Sequence, residues 1–209
     1  MPIALVATVP IVLMATNALP VRTVPELVAL ARREPGRLAF GSSGNGSTNH
    51  LAGELLKALA GIEMVHVPYR GAAPAMTDLV AGQVQVMFDN MPGALPQIRE
   101  GRVQALAVAG ARRAAVLPKL PTVAEAAGLP DFAAEAWFGL AAPGGTPPAT
   151  LARIGAAVLE ALAEPGLRAR FAAAGAEPGA LDPAGFAAFV AAERRKWARV
   201  VEASGARAE

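Results

Sequence analysis

Cysteine is absent from the 209-residue chain, which excludes disulfides and thiolate metal ligation and leaves the compartment open on that count. Histidine occurs only at His50 and His66. Neither makes a recognisable metal-ligand spacing with the other or with carboxylates, so no metal site is expected. His66 sits inside an apolar run and reads as a structural or pocket-edge residue. Aromatics are 5% of the chain, so its core must rest on small aliphatic side chains and helix-sheet contacts. Net charge is only +2, and the basic residues are scattered in pairs such as Arg32-Arg33, Arg112-Arg113 and Arg194-Arg195. That pattern carries no nucleic-acid footprint.

A long membrane-spanning run is also lacking. Residues 3–15 are apolar, but no basic residue precedes them, Pro10 interrupts them, and they fall short of the ~18–20 residues that cross a bilayer. They read as two short buried strands, 3–7 and 11–15, and as neither an export signal nor a membrane insertion.

The 54% hydrophobic composition suffices for a substantial core, and its patterning is that of an α/β protein. Thr23-Val24-Pro25-Glu26 carries a cap residue, an early proline and a capping-box acid, predicting a helix to about Arg33. Strands are expected near 38–41, 62–67, 84–88 and 103–109, with helices between them that stop at Gly61 and Gly101. This alternation implies a parallel sheet with right-handed crossovers, whose connecting loops gather at one edge. After Gly110 the pattern changes. An irregular segment leads into a short capped helix at Thr122-Val123-Ala124-Glu125, then a buried strand at Trp137-Phe138-Gly139-Leu140, then helices near 149–163, 166–174 and 183–201.

The chemistry concentrates in residues 40–50, FGSSGNGSTNH, a strand-to-helix turn. Gly41, Gly44 and Gly46 permit positive φ and close approach, and the helix behind supplies amides and the positive end of its dipole. Ser42, Ser43, Asn45, Ser47 and Thr48 add neutral donors, with no Lys or Arg among them. Such a loop suits a carboxylate that binds and leaves; the alternative is a glycine-rich helix start with a Ser or Thr N-cap. Gly41-x-x-x-x-Gly46-Ser47-Thr48 has the frame of a nucleotide P-loop but Ser47 replaces its lysine. A hydrolase elbow centred on Ser43 fails at Asn45, where its second glycine belongs. Tyr69 and Asp89 each fall at the carboxyl end of a strand, the edge at which open α/β sheets bind ligands. Tyr69 either lines that cleft or packs over its turn. Asp89 either accepts a ligand hydroxyl or ammonium, or caps the helix beginning near Pro92.

Taken together, Ser43-Gly44-Asn45-Gly46-Ser47-Thr48, His50-Leu51-Ala52-Gly53-Glu54, Val65-His66-Val67-Pro68-Tyr69-Arg70-Gly71, Met87-Phe88-Asp89-Asn90, Leu120-Pro121-Thr122-Val123-Ala124-Glu125 and Trp137-Phe138-Gly139-Leu140 resemble the Bug-type receptors, the periplasmic substrate-binding proteins of tripartite tricarboxylate transporters. The resemblance implies a type II periplasmic-binding-protein-like fold of two α/β lobes that close over a small carboxylate. It implies no catalysis, no cofactor and no metal. The partners would be a small carboxylate ligand and the transporter's membrane components, and a full-length protein would be a monomer. Ser42, Ser43, Gly44, Asn45, Gly46, Ser47, Thr48, Tyr69 and Asp89 would face the ligand.

Set against the resemblance, the family's export signal and the first part of lobe 1, roughly a hundred residues, are expected to be missing from this chain. The chain is therefore expected to hold one complete parallel-sheet lobe plus the C-terminal part of the other. Residues 1–15 would be hinge and first-lobe remnant strands, 16–110 the ligand-binding lobe, and 111–209 a return segment with the C-terminal helices of lobe 1. Localisation would be periplasmic by family, or cytoplasmic without a signal, with weak or absent ligand binding by this chain alone. The competing readings are a phosphate-binding or hydrolytic enzyme built on the same loop, and a non-binding remnant.

Overall fold

The computed structural model describes residues 1–204, organised around one long strand. β1 (Pro2–Thr16) is continuous over 15 residues and almost wholly buried, roughly 50 Å from end to end. This corrects the expectation of two strands separated by Pro10. Proline lacks an amide donor, and Pro10 falls where the strand changes partners, so the missing donor interrupts no central ladder. Residues 2–10 pair antiparallel with β6 (Glu135–Ala141), and residues 11–16 pair antiparallel with β4 (Val86–Asn90) and β5 (Val103–Val108).

With β2 (Ala39–Ser42) and β3 (Val65–Pro68), the main sheet runs in the order β3-β2-β4-β1-β5. β2 is parallel to β3 and β4. β4 and β5 both oppose β1, so β2 to β5 share one direction, as the βα alternation implies. The antiparallel insertion of β1 between β4 and β5 was not expected, because periodicity identifies a strand without giving its direction.

Helices cover both faces. On one, α1 (Val24–Arg33) and α2 (Thr48–Ala60) bury Leu27, Ala52 and Leu56 against Leu13, Phe40 and Phe88. On the other, α3 (Ala72–Ala81) and α4 (Met91–Arg99) bury Ala75, Leu79, Ala94 and Leu95 against Met14 and Met87. Cover on both sides accounts for strands that read as unbroken apolar runs. The helix signals hold locally. Thr23 and Glu26 form the full capping box of α1, and α2 ends at Gly61 in the left-handed conformation.

Beyond β5, Thr122 and Glu125 box the start of α5 (Val123–Ala127). β6, α6 (Pro148–Ala163), α7 (Pro165–Ala173), the two-residue β7 (Glu177–Pro178) and α8 (Pro183–Ser204) complete the described chain. β7 pairs with β1 at Ala7 and Thr8. β6 is a strand, but the expectation that it is buried needs correction. Trp137 meets Phe186 and Phe189 of α8 edge-on at 5.8 and 5.5 Å, whereas Phe138 and Leu140 are 52% and 41% exposed. Alternation sends these two away from α8. The last five residues of the expected 111–209 segment lie outside the described residues. Among the described residues no helix is long and apolar enough to cross a membrane.

Candidate functional site

β2 ends at Ser42 and enters α2 through residues 43–47. Gly44 (φ 128°) and Gly46 (φ 73°) hold the turn in backbone conformations that side chains resist. The Ser47 N–H donates to Gly44 O at 3.2 Å, and Ser47 Oγ caps α2 by accepting from the His50 N–H at 3.2 Å. The loop after β3 lies alongside. Tyr69 N–H donates to Ser42 O at 3.1 Å and Gly71 N–H to Ser43 O at 3.3 Å, so the serine loop and the Tyr69 turn form one ledge at the carboxyl edge of the sheet.

The predicted site residues take different places on this ledge. Ser42 is fully buried. Its Oγ accepts from the Gly44 N–H at 3.1 Å and lies 2.7 Å from His66 Nε2. That is the separation of a nucleophile and its base, but the serine is inaccessible and its hydroxyl shapes the loop. Ser43, Gly44, Asn45, Ser47 and Thr48 are half-buried and Gly46 is exposed. The Tyr69 ring lies over Gly41, where an added Cβ would come within 3.5 Å of it, and its hydroxyl donates to Asp78 Oδ2 of α3 at 2.7 Å. Burial and the Asp78 carboxylate push the phenol up to about 12.

Asp89 is 3% exposed. Burial raises its carboxyl above the usual range, while hydrogen bonds from Asn90 and Asn49 oppose that shift. Asp89 is not the cap of α4: Asn90 holds that position without a side-chain cap bond. Instead, Asp89 Oδ1 accepts from Asn49 Nδ2 at 3.1 Å, and Oδ2 sits where a Cβ on Gly93 would be only 3.0 Å away. The carboxylate also lines a groove of ≈ 590 Å³ between α3 and α4, with Met76, Thr77, Gln97 and Arg102.

Sequence reasoning missed Asn49, a side chain of the serine loop's helix that bonds Asp89. A polar residue in a helix's first turn ordinarily faces water, and its partner is 40 positions away. It also missed the histidine pair. His50 and His66 stack with ring centroids 3.7 Å apart and planes within 9°, above Phe40.

α2, α3 and α4 all begin at this edge, each following a strand of one direction. Only α2 has a side-chain cap; the N-caps of α3 and α4, Gly71 and Asn90, provide none. Three positive helix ends beside neutral hydroxyls and amides make a surface suited to an anion. Among the described residues no group of three His, Asp or Glu could hold a metal.

A family profile described as "Tripartite tricarboxylate transporter family receptor" matches residues 1–206. Protein BugT of Bordetella pertussis is 36% identical over 206 residues, covering 99% of this chain and 63% of its own. The chain spans about 60% of the length of the curated relatives it matches. Among solved structures, Rpa4515 of R. palustris with adipate superposes with a TM-score of 0.92 at 38% identity, over 98% of this chain and 68% of that one. MatC of Rhodopseudomonas palustris with bound malate gives 0.88 at 35% identity, over 96% and 69%. The family includes periplasmic binding proteins. From the capped serine loop to the long shared strand, the chain belongs to the tripartite tricarboxylate transporter receptor family.

Proposed function

We infer that the chain is the carboxylate-binding part of an extracytoplasmic receptor, delivering a small dicarboxylate to the membrane components of a tripartite tricarboxylate transporter without transforming it. The observation that carries this reading is the convergence of the α2, α3 and α4 N-termini at one sheet edge. There a carboxylate meets oriented backbone dipoles and no fixed cation in residues 40–50. A neutral cradle holds such a ligand without the tight grip of a buried arginine. Ser43, Gly44, Asn45, Gly46, Ser47 and Thr48 form the contact ledge. Ser42 and Tyr69 fix its shape from beneath and beside, and Asp89 offers an acceptor for a ligand hydroxyl. That the relatives' structures hold adipate and malate supports a dicarboxylate as the class.

Calorimetric titration with adipate and malate tests this. The combined Ser43→Ala and Ser47→Ala variant should lower affinity about a hundredfold or more, since each lost bond to a charged group is worth ~1.5–3 kcal/mol and ~1.4 kcal/mol is tenfold. Full affinity in that variant would contradict the reading. Turnover of an ester or phosphoester abolished by the same substitutions would favour an enzyme instead.

A further inference from the structure

Two imidazoles support the serine loop from below, each reaching it through one bond. The Gly46 N–H donates to His50 Nδ1 at 3.1 Å. His66 Nε2 lies 2.7 Å from Ser42 Oγ, which in turn accepts from the Gly44 N–H at 3.1 Å. The two glycines at positive φ are therefore held, directly or through one hydroxyl, by rings from two different elements, α2 and β3. Those rings stack on each other at 3.7 Å, and His66 stacks on Phe40 at 4.9 Å.

We propose that His50 and His66 are positioning residues for the serine loop, a stacked pair that keeps the loop in its ligand-holding shape and releases it when His50 takes up a proton. The proposal rests on the reading of that loop as the ligand site and adds its regulation. The asymmetry between the rings follows from hydrogen-bond chemistry. A nitrogen that accepts an N–H must carry no proton, so a protonated His50 would set Nδ1–H against the Gly46 N–H and the bond would be lost. The Ser42–His66 contact survives protonation: the hydroxyl can accept from Nε2–H and turn its own proton to Gly44 O, 3.2 Å away. Two charged rings at this separation repel, so the pair takes up one proton before two.

The charged groups around the pair set where that happens. Glu54 Oε1 of α2 is 3.8 Å from His50 Nε2 and favours the proton. Lys57, bonded to Glu54 at 2.9 Å and placed over the Phe40 ring, opposes it. Arg199 of α8 lines the same cleft as Glu54 and Lys57. On the β4 side, Asp89 binds Asn49, the neighbour of His50. Burial dominates for both rings, lowering His50 and taking His66 down to about 4. The loop is thus locked at neutral pH and slackens in acid.

The test uses the full chain without ligand. Histidine ring ¹⁵N shifts and the exchange protection of the Gly46 amide are followed by NMR from pH 7.5 to 4.5, protection being corrected for intrinsic exchange. The expected result is that Gly46 protection falls roughly tenfold, the value of one hydrogen bond, with the midpoint of the His50 titration. In His50→Asn, whose amide oxygen can accept but cannot titrate, it should stay level. Unchanged Gly46 protection while His50 titrates in the wild-type protein would overturn the proposal, and this needs no variant to fold. Adipate titrated at both pH values separates the two readings. Coupled loss of protection without adipate binding sinks the receptor reading alone, and adipate binding with an unresponsive Gly46 sinks this one alone.

Discussion

Asn49, in the first turn of α2, donates to Asp89 Oδ1 across 3.1 Å, and this bond ties the helix behind the serine loop to the end of the neighbouring strand. Both residues are 3% exposed. A buried carboxylate with one neutral side-chain donor is costly to keep ionised, which is why its proton is held above the ordinary range.

The consequence is a stability that depends on pH through Asp89. A carboxyl whose folded pKa is raised contributes most below the unfolded value of 3.8 and loses that contribution as pH rises through the folded value. Asp89→Asn removes the ionisation and keeps an acceptor for Asn49. Urea denaturation should show the variant gaining stability relative to wild type between pH 4 and 7. Asn49→Ala strips the donor and should cost about 1–3 kcal/mol at pH 7.

Gly53, on the inner face of α2, is expected to reverse the usual helix rule. Glycine to alanine inside a helix ordinarily stabilises by ~1 kcal/mol. Here the new Cβ would fall 2.3 Å from Phe40 Cε2, beneath the histidine stack. Gly53→Ala should destabilise by about 1–3 kcal/mol through overpacking, read as a lower denaturation midpoint.

Tyr69 is the sole tyrosine of the chain, so alkaline absorbance reports it alone. Its midpoint should lie near the value of about 12 that burial and Asp78 impose. Asp78→Asn should lower it. A wild-type midpoint at 10 would mean that the ring does not rest over Gly41 with its hydroxyl on Asp78.

The histidine pair predicts acid sensitivity of the fold itself. Both folded pKa values are depressed below 6.5. The unfolded chain therefore takes up protons first as pH falls, and stability declines from about pH 6.5 toward 4. Denaturation curves at pH 7.5, 6 and 5 should show the decline, and His66→Gln should flatten it.

Local signals in the sequence were faithful where the physics is local. The Thr23–Glu26 and Thr122–Glu125 boxes, the Gly61 stop and the strand-to-helix turn at the serine loop are all decided within a few residues. What escaped depends on distant pairing. Pro10 signals an interruption, yet the chain runs straight through it because β6 ends its ladder there and β4 begins another. Phe138 and Leu140 look buried because they are apolar, but exposure is set by which face of β6 meets α8. The two-residue β7 is too short to leave a periodic trace. Asn49–Asp89 and His50–His66 join residues on separate elements, so neither spacing nor composition marks them. The carboxyl-edge location of Tyr69 and Asp89 was legible; how each is held there was not.

The most direct test of the ligand site is an amide-resolved NMR titration of the ¹⁵N-labelled chain with adipate at pH 7.5. Saturable shifts are expected, concentrated at residues 43–49, with smaller ones at 71–73 and 90–93, where the other two helices of that edge begin. Shifts confined to other surfaces, or none at saturating adipate, malate and citrate, would contradict this reading.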